Sequence, residues 1–377
     1  MLYRLDDRSN LPELIRRIGC DPGGVKIMSA KGRHHLFLIK DLKTPAANIL
    51  KQDALAIGAE LAVPSGVITC DVEKVDALLI CNETQLQILA KKEKAQPFGL
   101  KKVAGELERF IHLPSHKPQL MGILNINEDS FFSQSRTRAE EIVARAERMI
   151  LDGADMIDVG GVSSRPGSDP VTPEEEMARV APAIDALHAA GIHDRAVLSL
   201  DSYEPTVLTY ALQRGFSIVN DITGLTDDRV CDVAAKYDAT VCIMHMQGDP
   251  KSMQRAPEYG DVVAEVDAFF EERIAKAKAF GIDKLILDIG VGFGKTLEHN
   301  VALIRHQSTF LRHGYPLLIG GSRKSMIDAI SKAPVDARLP GTLALHLKAL
   351  ETGASIVRAH DVPEHAQAMR VYSALNS

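Results

Sequence analysis

The chain has a regular order of apolar and amphipathic segments over residues 119–377. Eight apolar runs occur there, and they are continuous rather than alternating, which is typical of strands covered on both faces of a parallel sheet. They are LMGILN, DMIDVG, AVLSLDS, SIVND, TVCIMH, LILDIG, PLLIGG and SIVRAH. Segments with helical periodicity, such as RAEEIVARAERMILDG, lie between them. Eight strand–helix units in about 260 residues predict an α/β fold of the (β/α)8 TIM-barrel type, with a doubly wound open sheet as the alternative.

Residues 1–112 have a different pattern. Short apolar runs that predict strands, namely GVKIMSA, LFLIKD, AELAVP and DALLICN, alternate with helical segments such as AANILKQDALAIG. The segment IHLPSHKPQ, with its two prolines, follows them and is typical of a linker. We therefore expect a small N-terminal α/β domain over residues 1–112, whose role the sequence does not indicate, and a barrel over residues 119–377.

Composition narrows the class of protein. The 377 residues are 45% hydrophobic and 25% charged, which is typical of a globular chain with a sizeable core. Lys and Arg number 44 against 50 Asp and Glu, so no basic excess exists to bind nucleic acid. The five cysteines form no C-x-x-C pair, and no apolar run is long enough to span a membrane. We expect a cytoplasmic protein that binds neither nucleic acid nor membrane.

Each predicted barrel strand ends at polar residues that a buried core does not need. The carboxyl ends of the strands meet at one mouth of a TIM barrel, which is where such folds keep their catalytic residues. Taken singly, an aspartate at such a position is more often a helix N-cap, and a lone histidine is more often hydrogen-bonded to the core. Together they predict one polar cup at the mouth. Its members are Asn125, Asp158, Asp201, Asn220, Asp221, His245, Asp288, residues 322–325, Arg358 and His360.

The cup contains groups suited to a flat heterocycle. Asp201, Asn220 and Asp288 offer several acceptors and one amide, and a ring edge with several N–H donors would satisfy buried carboxylates of this kind. Lys324, in the stretch GGSRKS, can meet a ring carbonyl on the other edge. Adjacent side chains diverge, so Arg323 is expected to point to solvent or to a neighbouring loop.

Positive charge elsewhere on the rim suits a phosphate-type group. Arg165, Arg358 and His360 supply that charge. The stretch DIGVGFGK, residues 288–295, looks like a glycine-rich phosphate loop but lacks the full spacing of the nucleotide-binding motif. The sequence thus predicts a heterocycle and an anion at the same mouth, without a nucleotide motif.

In their order along the chain, these motifs resemble those of the dihydropteroate synthases. The matching segments are MGILNINEDSFF, GADMIDVGGVSSRPGSDPVTPEEE, LSLDSYEP, IVNDITG, IMHMQGDPKSMQ, LDIGVGFGKTLEHN, GGSRKS and ASIVRAHDV. The resemblance covers residue 119 to the C-terminus, and the N-terminal domain lies outside the common core of the family. It implies condensation of 6-hydroxymethyl-7,8-dihydropterin pyrophosphate with p-aminobenzoate, giving 7,8-dihydropteroate and pyrophosphate in folate synthesis. It also implies Mg²⁺ as cofactor and a homodimer.

The resemblance further implies roles for the residues at matching positions. The pterin would be held by Asp201, Asn220, Asp288 and Lys324, the pyrophosphate by Arg165, Arg358 and His360, the aminobenzoate by Ser164, Pro166, Phe293 and Ser325, and the metal by Asn125. Asp201, Lys324 and Asp288 would be the catalytic residues among them. The mechanism of the family is dissociative, so pyrophosphate leaves first and the amine traps a resonance-stabilised pterin cation. A carboxylate at Asp201 would favour that cation.

The chain departs from the family pattern at several loop positions. Asn127 and Glu128 replace a usual Thr-Pro pair, Val162 a usual Glu, Ser164 a usual Thr, and Ile289 a usual Pro. The changes in the first two loops fall where aminobenzoate and metal would bind, so the affinity for aminobenzoate and its analogues stays open. None of them removes a pterin-pocket residue.

Two alternatives to synthase activity also stay open. One is a pterin-dependent methyltransferase on the same barrel, acting with a corrinoid partner, and the other is a non-catalytic pterin-binding paralogue. A methyltransferase needs no pyrophosphate site, so Arg165, Arg358 and His360 disfavour it. The loop substitutions are the only support for the paralogue.

Overall fold

The structure is a computed structural model that describes residues 1–5, 9–111, 113–126, 136–162, 171–248, 251, 253–254 and 256–376. Contacts between residues divide the chain into two units, Met1–Leu113 with Ser373–Ser377, and Pro114–Tyr372. Each unit has a hydrophobic core of its own. Within the described parts of the chain, no helix is long and apolar enough to cross a membrane.

The first unit is built on a three-stranded antiparallel sheet with the strand order β1-β3-β2. Strand β3 buries every second residue, including Leu79 and Cys81, so one face of the sheet packs into the core of this unit. The run GVKIMSA, predicted as a strand, lies in helix α2. The elements are α1 (Leu11–Ile18), α2 (Pro22–Gly32), β1 (His34–Lys43), α3 (Thr44–Ala56), β2 (Glu60–Ala62), β3 (Lys74–Asn82), α4 (Glu83–Lys92) and α5 (Leu100–Glu108).

The second unit is a closed barrel of eight parallel strands in the order β10-β11-β4-β5-β6-β7-β8-β9. This closure confirms the predicted TIM barrel and excludes the open doubly wound sheet. The elements are β4 (Gln119–Asn125), α6 (Arg136–Asp152), β5 (Met156–Gly160), α7 (Pro173–Ala189), β6 (Val197–Asp201), α8 (Pro205–Leu212), β7 (Ile218–Asp221), α9 (Asp228–Lys236), β8 (Thr240–Met244), α10 (Val262–Ala279), β9 (Leu285–Asp288), α11 (Leu297–His306), β10 (Leu317–Ile319), α12 (Ser325–Ile330), α13 (Leu339–Glu351), β11 (Ile356–Ala359) and α14 (Val362–Leu375).

Local sequence signals set several helix boundaries. Reciprocal side-chain and backbone hydrogen bonds form a capping box at α4, at α7 and at α11, where Thr296 and His299 make it. Proline occupies the first turn of α7, α8 and α13. Backbone N–H groups in the first turn have no partner within the helix, so proline costs no helical hydrogen bond there. In the barrel, these signals place the starts of α7, α8 and α11 directly after the loops that follow β5, β6 and β9.

The barrel interior has an apolar floor and a polar layer above it. The floor is a separate hydrophobic cluster, apart from the larger core between strands and helices. It consists of Met121, Met156, Ile218, Cys242, Ile286, Leu318 and Ile356. Because side chains alternate along a strand, the residue two positions later points into the same interior, one layer nearer the mouth. On five of the strands these residues are Asp158, Asn220, Asp288, Gly320 and Arg358.

Candidate functional site

Arg358 lies between two aspartates in the polar layer. Its Nη2 atom is 2.6 Å from Oδ2 of Asp158 and 3.0 Å from Oδ2 of Asp201. Asp158 is fully buried and also accepts hydrogen bonds from the Ser199 hydroxyl and, at 3.1 Å, from the Asn220 amide. One cation therefore faces two carboxyl groups above an apolar floor.

Burial and charge perturb the ionisable groups of this cluster. Burial raises the pKa of Asp201 to about 7, with Arg358 opposing the shift and Asp158 adding to it. The Arg358 guanidinium is itself disfavoured by burial, but the two aspartates outweigh this and raise its pKa. Burial also raises the pKa of Asp288. The hydrogen bond that Asp288 accepts from the Gly290 N–H at 2.8 Å lowers this pKa, but burial has the larger effect. Perturbed carboxyls in one cleft are typical of a functional site.

Lys324 approaches this layer from the loop after β10. Its Nζ atom donates to the carbonyl oxygen of Val291 and lies 4.1 Å from the centre of the Phe293 ring, a cation–π contact. Burial lowers its pKa to about 8, although Asp288 acts in the opposite direction. A side chain placed at Gly320 would stand 3.8 Å from the Asp288 carboxylate, so glycine keeps the space between this loop and the polar layer open.

The other residues of GGSRKS fasten their loop to the loop after β11. The Ser322 hydroxyl is 2.9 Å from Nδ1 of His360, and the Arg323 guanidinium makes a two-pronged ion pair with the Asp361 carboxylate. Arg323 therefore points to a neighbouring loop, which is one of the two expectations for it. Ser325 is exposed at the first position of α12.

Asn125 lies at the end of β4, the strand that pairs with β11. Strand register aligns Asn125 with Gly160, and Gly160 with Asp201. A side chain at Gly160 would meet both neighbours at 3.7 Å, so this glycine leaves a gap between the amide and the carboxylate. The predicted residues Ser164, Arg165 and Pro166 lie outside the described residues, as do Asn127 and Glu128.

Two strand-end residues do not join the cup, and their expected place in it was wrong. Asp221 turns outward and accepts hydrogen bonds from the backbone N–H groups of Thr223 and Leu225. His245 packs edge-on against Phe269, with 4.9 Å between ring centres, and burial lowers its pKa to about 3. Asp221 follows the inward-facing Asn220 by one residue, and His245 follows the inward-facing Cys242 by three. Both offsets are odd, so the pleat directs these side chains away from the interior.

Sequence reasoning assigned no role to Asp158 and did not name Ser199. The structure makes Asp158 the central acceptor of the layer, since it binds Arg358, Ser199 and Asn220 together. The signal that could have found it is its position two residues after Met156 on a strand buried throughout.

Comparisons with known proteins show what this chain is similar to. A sequence model of the pterin binding enzyme family matches residues 121–360. A bifunctional dihydropteroate synthase/dihydropteroate reductase from Helicobacter pylori is 37% identical over 366 residues, covering 97% of this chain and 96% of the relative. A dihydropteroate synthase from Escherichia coli is 44% identical over 261 residues, covering 68% of this chain and 91% of the relative. The crystal structure of a Thermus thermophilus dihydropteroate synthase in complex with 4-aminobenzoate superposes with a TM-score of 0.62 at 37% identity, over 71% of this chain and 98% of that chain.

Proposed function

This chain belongs to the dihydropteroate synthase family, and we propose that the polar layer of its barrel mouth binds the pterin ring. The reaction condenses 6-hydroxymethyl-7,8-dihydropterin pyrophosphate with p-aminobenzoate to give 7,8-dihydropteroate and pyrophosphate. The observation that carries the assignment of the pterin is the convergence of Asp201, Asn220 and Asp288 above the apolar floor. A flat ring can lie on such a floor while its N–H groups bind the acceptors around it.

Each member of the layer receives a role from its surroundings. Asp288 and Asn220, each less than a tenth exposed, bind the amino-pyrimidine edge, and the Lys324 ammonium binds the ring carbonyl. Asp201 stands beside the carbon from which pyrophosphate departs, and as a carboxylate it stabilises the cation that forms there. Arg358 holds Asp201 in that charged form while it directs positive charge to the mouth.

The bonds change in two steps. The carbon–oxygen bond to pyrophosphate breaks first and the pyrophosphate takes the electron pair, leaving a cation spread over the exocyclic carbon and the ring. The amine of p-aminobenzoate then forms the new carbon–nitrogen bond and loses a proton. We assign the pyrophosphate to Arg165, Arg358 and His360, and the aminobenzoate to Ser164, Pro166, Phe293 and Ser325.

We propose Asn125 as a ligand of Mg²⁺. Among the described residues, no three His, Cys, Asp or Glu side chains lie together as a metal site. The donor set nevertheless fits this ion, because Mg²⁺ keeps several waters and uses one or two protein oxygens plus the phosphates of a substrate. When bound, it would supply positive charge to the leaving pyrophosphate. An Asn125→Ala variant tests this, since it should need more Mg²⁺ for half-maximal turnover.

One assay tests the proposed binding and chemistry. Purified protein with Mg²⁺ and both substrates should release pyrophosphate and form dihydropteroate in equal amounts. Pyrophosphate release that never yields a condensed product would contradict the assigned aminobenzoate site. We also propose that the chain is a cytoplasmic homodimer, as the family resemblance implies, and light scattering after size-exclusion chromatography measures the mass in solution.

A second candidate function, reduction of dihydropteroate, concerns the first unit. The Helicobacter relative that is named for both activities matches 97% of this chain, first unit included, whereas the Escherichia synthase matches 68%. Reduction would add a hydride and a proton across the C=N bond of the dihydropyrazine ring, and the hydride would come from a reduced nicotinamide or flavin. The experiment supplies dihydropteroate with each donor and separates the products by chromatography. A chain from Pro114 onward, assayed alongside, should keep condensation and lose reduction. Reduction that is undetectable in the full chain with every donor would refute this candidate.

A further inference from the structure

The glycine-rich loop, residues 289–296, is not used by the proposed mechanism except through Phe293. Gly290, Gly292 and Gly294 all have positive φ, at 64°, 80° and 58°. A side chain at Gly290 would overlap the carbonyl oxygen of His245, and one at Gly294 would overlap the backbone of Gln247. Glycine is therefore required both by the backbone conformation and by the close approach of the chain that follows β8.

Lys295 closes this loop on itself. Its Nζ atom donates to three backbone carbonyls, at 3.0 Å to His245, 3.0 Å to Gly290 and 2.9 Å to Phe293. An ammonium has three donors, so all of them are used. The side chain is 3% exposed, and burial lowers its pKa to about 7. A buried lysine is tolerated when its charge is fully hydrogen-bonded, as it is here.

Three further carbonyls of the loop accept hydrogen bonds from other side chains around it. Lys324 donates to Val291, Gln254 to Gly292 at 2.6 Å, and the Tyr259 hydroxyl to Gly294 at 2.8 Å. In a phosphate-binding loop the N–H groups face the ligand. Here the carbonyls face the ammonium groups of Lys295 and Lys324, so the loop binds two cationic side chains of the protein itself.

We propose that Lys295 is a positioning residue that holds Phe293 in place for p-aminobenzoate. This inference rests on the proposed function, in which Phe293 lines the aminobenzoate side. Loss of the ammonium removes one donor from each of these three carbonyls, and among the described residues only Gly290 keeps a second, the Phe293 N–H at 3.1 Å. The loop must then rearrange so that the His245 and Phe293 carbonyls reach water. The pterin acceptors Asp201 and Asn220 lie on strands, so they stay in place.

Two matched variants separate positioning from general stability. Lys295→Met removes the donors and keeps the side-chain length, and Lys284→Met makes the same change at the exposed lysine before β9. We expect Lys295→Met to raise KM for p-aminobenzoate at least about tenfold, the scale of lost buried hydrogen bonds. The Kd of pterin pyrophosphate, measured by calorimetry, should change less than about threefold, and Lys284→Met should change neither. Equal losses for both substrates, or no change in a folded Lys295→Met protein, would overturn the proposal.

A milder variant, Tyr259→Phe, and amide hydrogen exchange test the proposal if Lys295→Met does not fold or does not turn over. Tyr259→Phe removes the hydroxyl that donates to Gly294 and keeps the ring, so it should raise KM for p-aminobenzoate roughly two- to fivefold. If Lys295→Met does not fold, an unchanged KM in Tyr259→Phe overturns the proposal. Wild-type turnover in the same assay tests the proposed function separately. Amide hydrogen exchange over residues 289–296 tests positioning without turnover, and it should be faster in Lys295→Met than in Lys284→Met; equal rates would overturn the proposal.

Discussion

The pH dependence of kcat/KM for pterin pyrophosphate should form a narrow bell. In the proposed mechanism Asp201 acts as a carboxylate that stabilises the cation, so its pKa of about 7 should set the acid limb. Lys324 acts there as an ammonium that binds the ring carbonyl, so its pKa of about 8 should set the alkaline limb. The pH dependence of kcat/KM reports the pKa values of the free enzyme, so the values for the site without substrate apply. The value of kcat/KM should therefore be highest between about pH 7 and 8.

Arg358→Met should move the whole bell upward. The Arg358–Asp201 contact of 3.0 Å stabilises the carboxylate. At an effective dielectric constant of about 20, charges roughly 4 Å apart interact by about 4 kcal/mol, or about three pKa units. Asp158 makes the closer contact with Arg358, and water enters the mouth, so we expect an upward shift of about one to two units in the acid limb. Arg358 also lowers the pKa of Lys324, so the alkaline limb should rise as well.

The assay is a series of initial rates at limiting pterin pyrophosphate between pH 5.5 and 9.5, with three variants. Arg358→Lys keeps the charge and is the matched control, whose limbs should stay near those of the wild type. Asp201→Asn should lose the acid limb and lower kcat/KM by roughly 10²–10³-fold. Ionisation of the pyrophosphate of the substrate contributes equally to all profiles, so each profile is first divided by the measured ionisation curve of the substrate. An acid limb that persists in Asp201→Asn, or stays fixed in Arg358→Met, would refute the assignment.

Three further expectations concern other parts of the chain. Lys324→Ala should weaken pterin binding and turnover at least about 10²-fold, whereas Arg323→Ala, which loses a contact between loops, should lose less than about tenfold in kcat/KM. A chain beginning near Ser115 should keep condensation if it folds, and a soluble, folded, inactive truncation would show that the first unit supports the site. Burial raises the pKa of Glu93 to about 7, and Asp53 adds to this shift. Between about pH 4.5 and 7 the folded protein therefore binds a proton that the unfolded chain does not. The free energy of unfolding should fall by up to roughly 2–3 kcal/mol as pH rises over that range. Thermal melting of Glu93→Gln should show a flatter profile over that range, and an unchanged slope would contradict the assignment.

The barrel could be predicted because each of its strands is a continuous apolar run that ends at a polar residue. What the runs do not reveal is the pleat, which decides which of two adjacent polar residues faces inward. Asn220 enters the layer and Asp221 leaves it for this reason alone. A one-residue change of phase exchanges their roles, and only the pairing with neighbouring strands fixes that phase.

Two other predictions failed or stopped short for local reasons. GVKIMSA is a short apolar run without alternation, which does not separate a strand from a helix, and Pro22 starts a helix there. In the sequence, the glycines of residues 288–295 look like those of a phosphate loop without the full spacing of the nucleotide motif. Glycine permits either orientation of a peptide group, however, so the sequence does not say whether carbonyls or N–H groups face inward. The position of Lys295 beneath the loop settles it.

Burial of three cysteines gives the two units separate internal reporters of their opening. Cys242 belongs to the apolar floor of the barrel, Cys231 is buried in helix α9, and Cys81 is buried in strand β3 of the first unit. Burial raises the pKa of each thiol, so all three lack both the thiolate and the access that alkylation needs. Each becomes reactive only when its own surroundings open. Brief alkylation followed by peptide mass spectrometry can thus time the opening of each unit within one intact chain, with exposed Cys70 marking the unprotected rate.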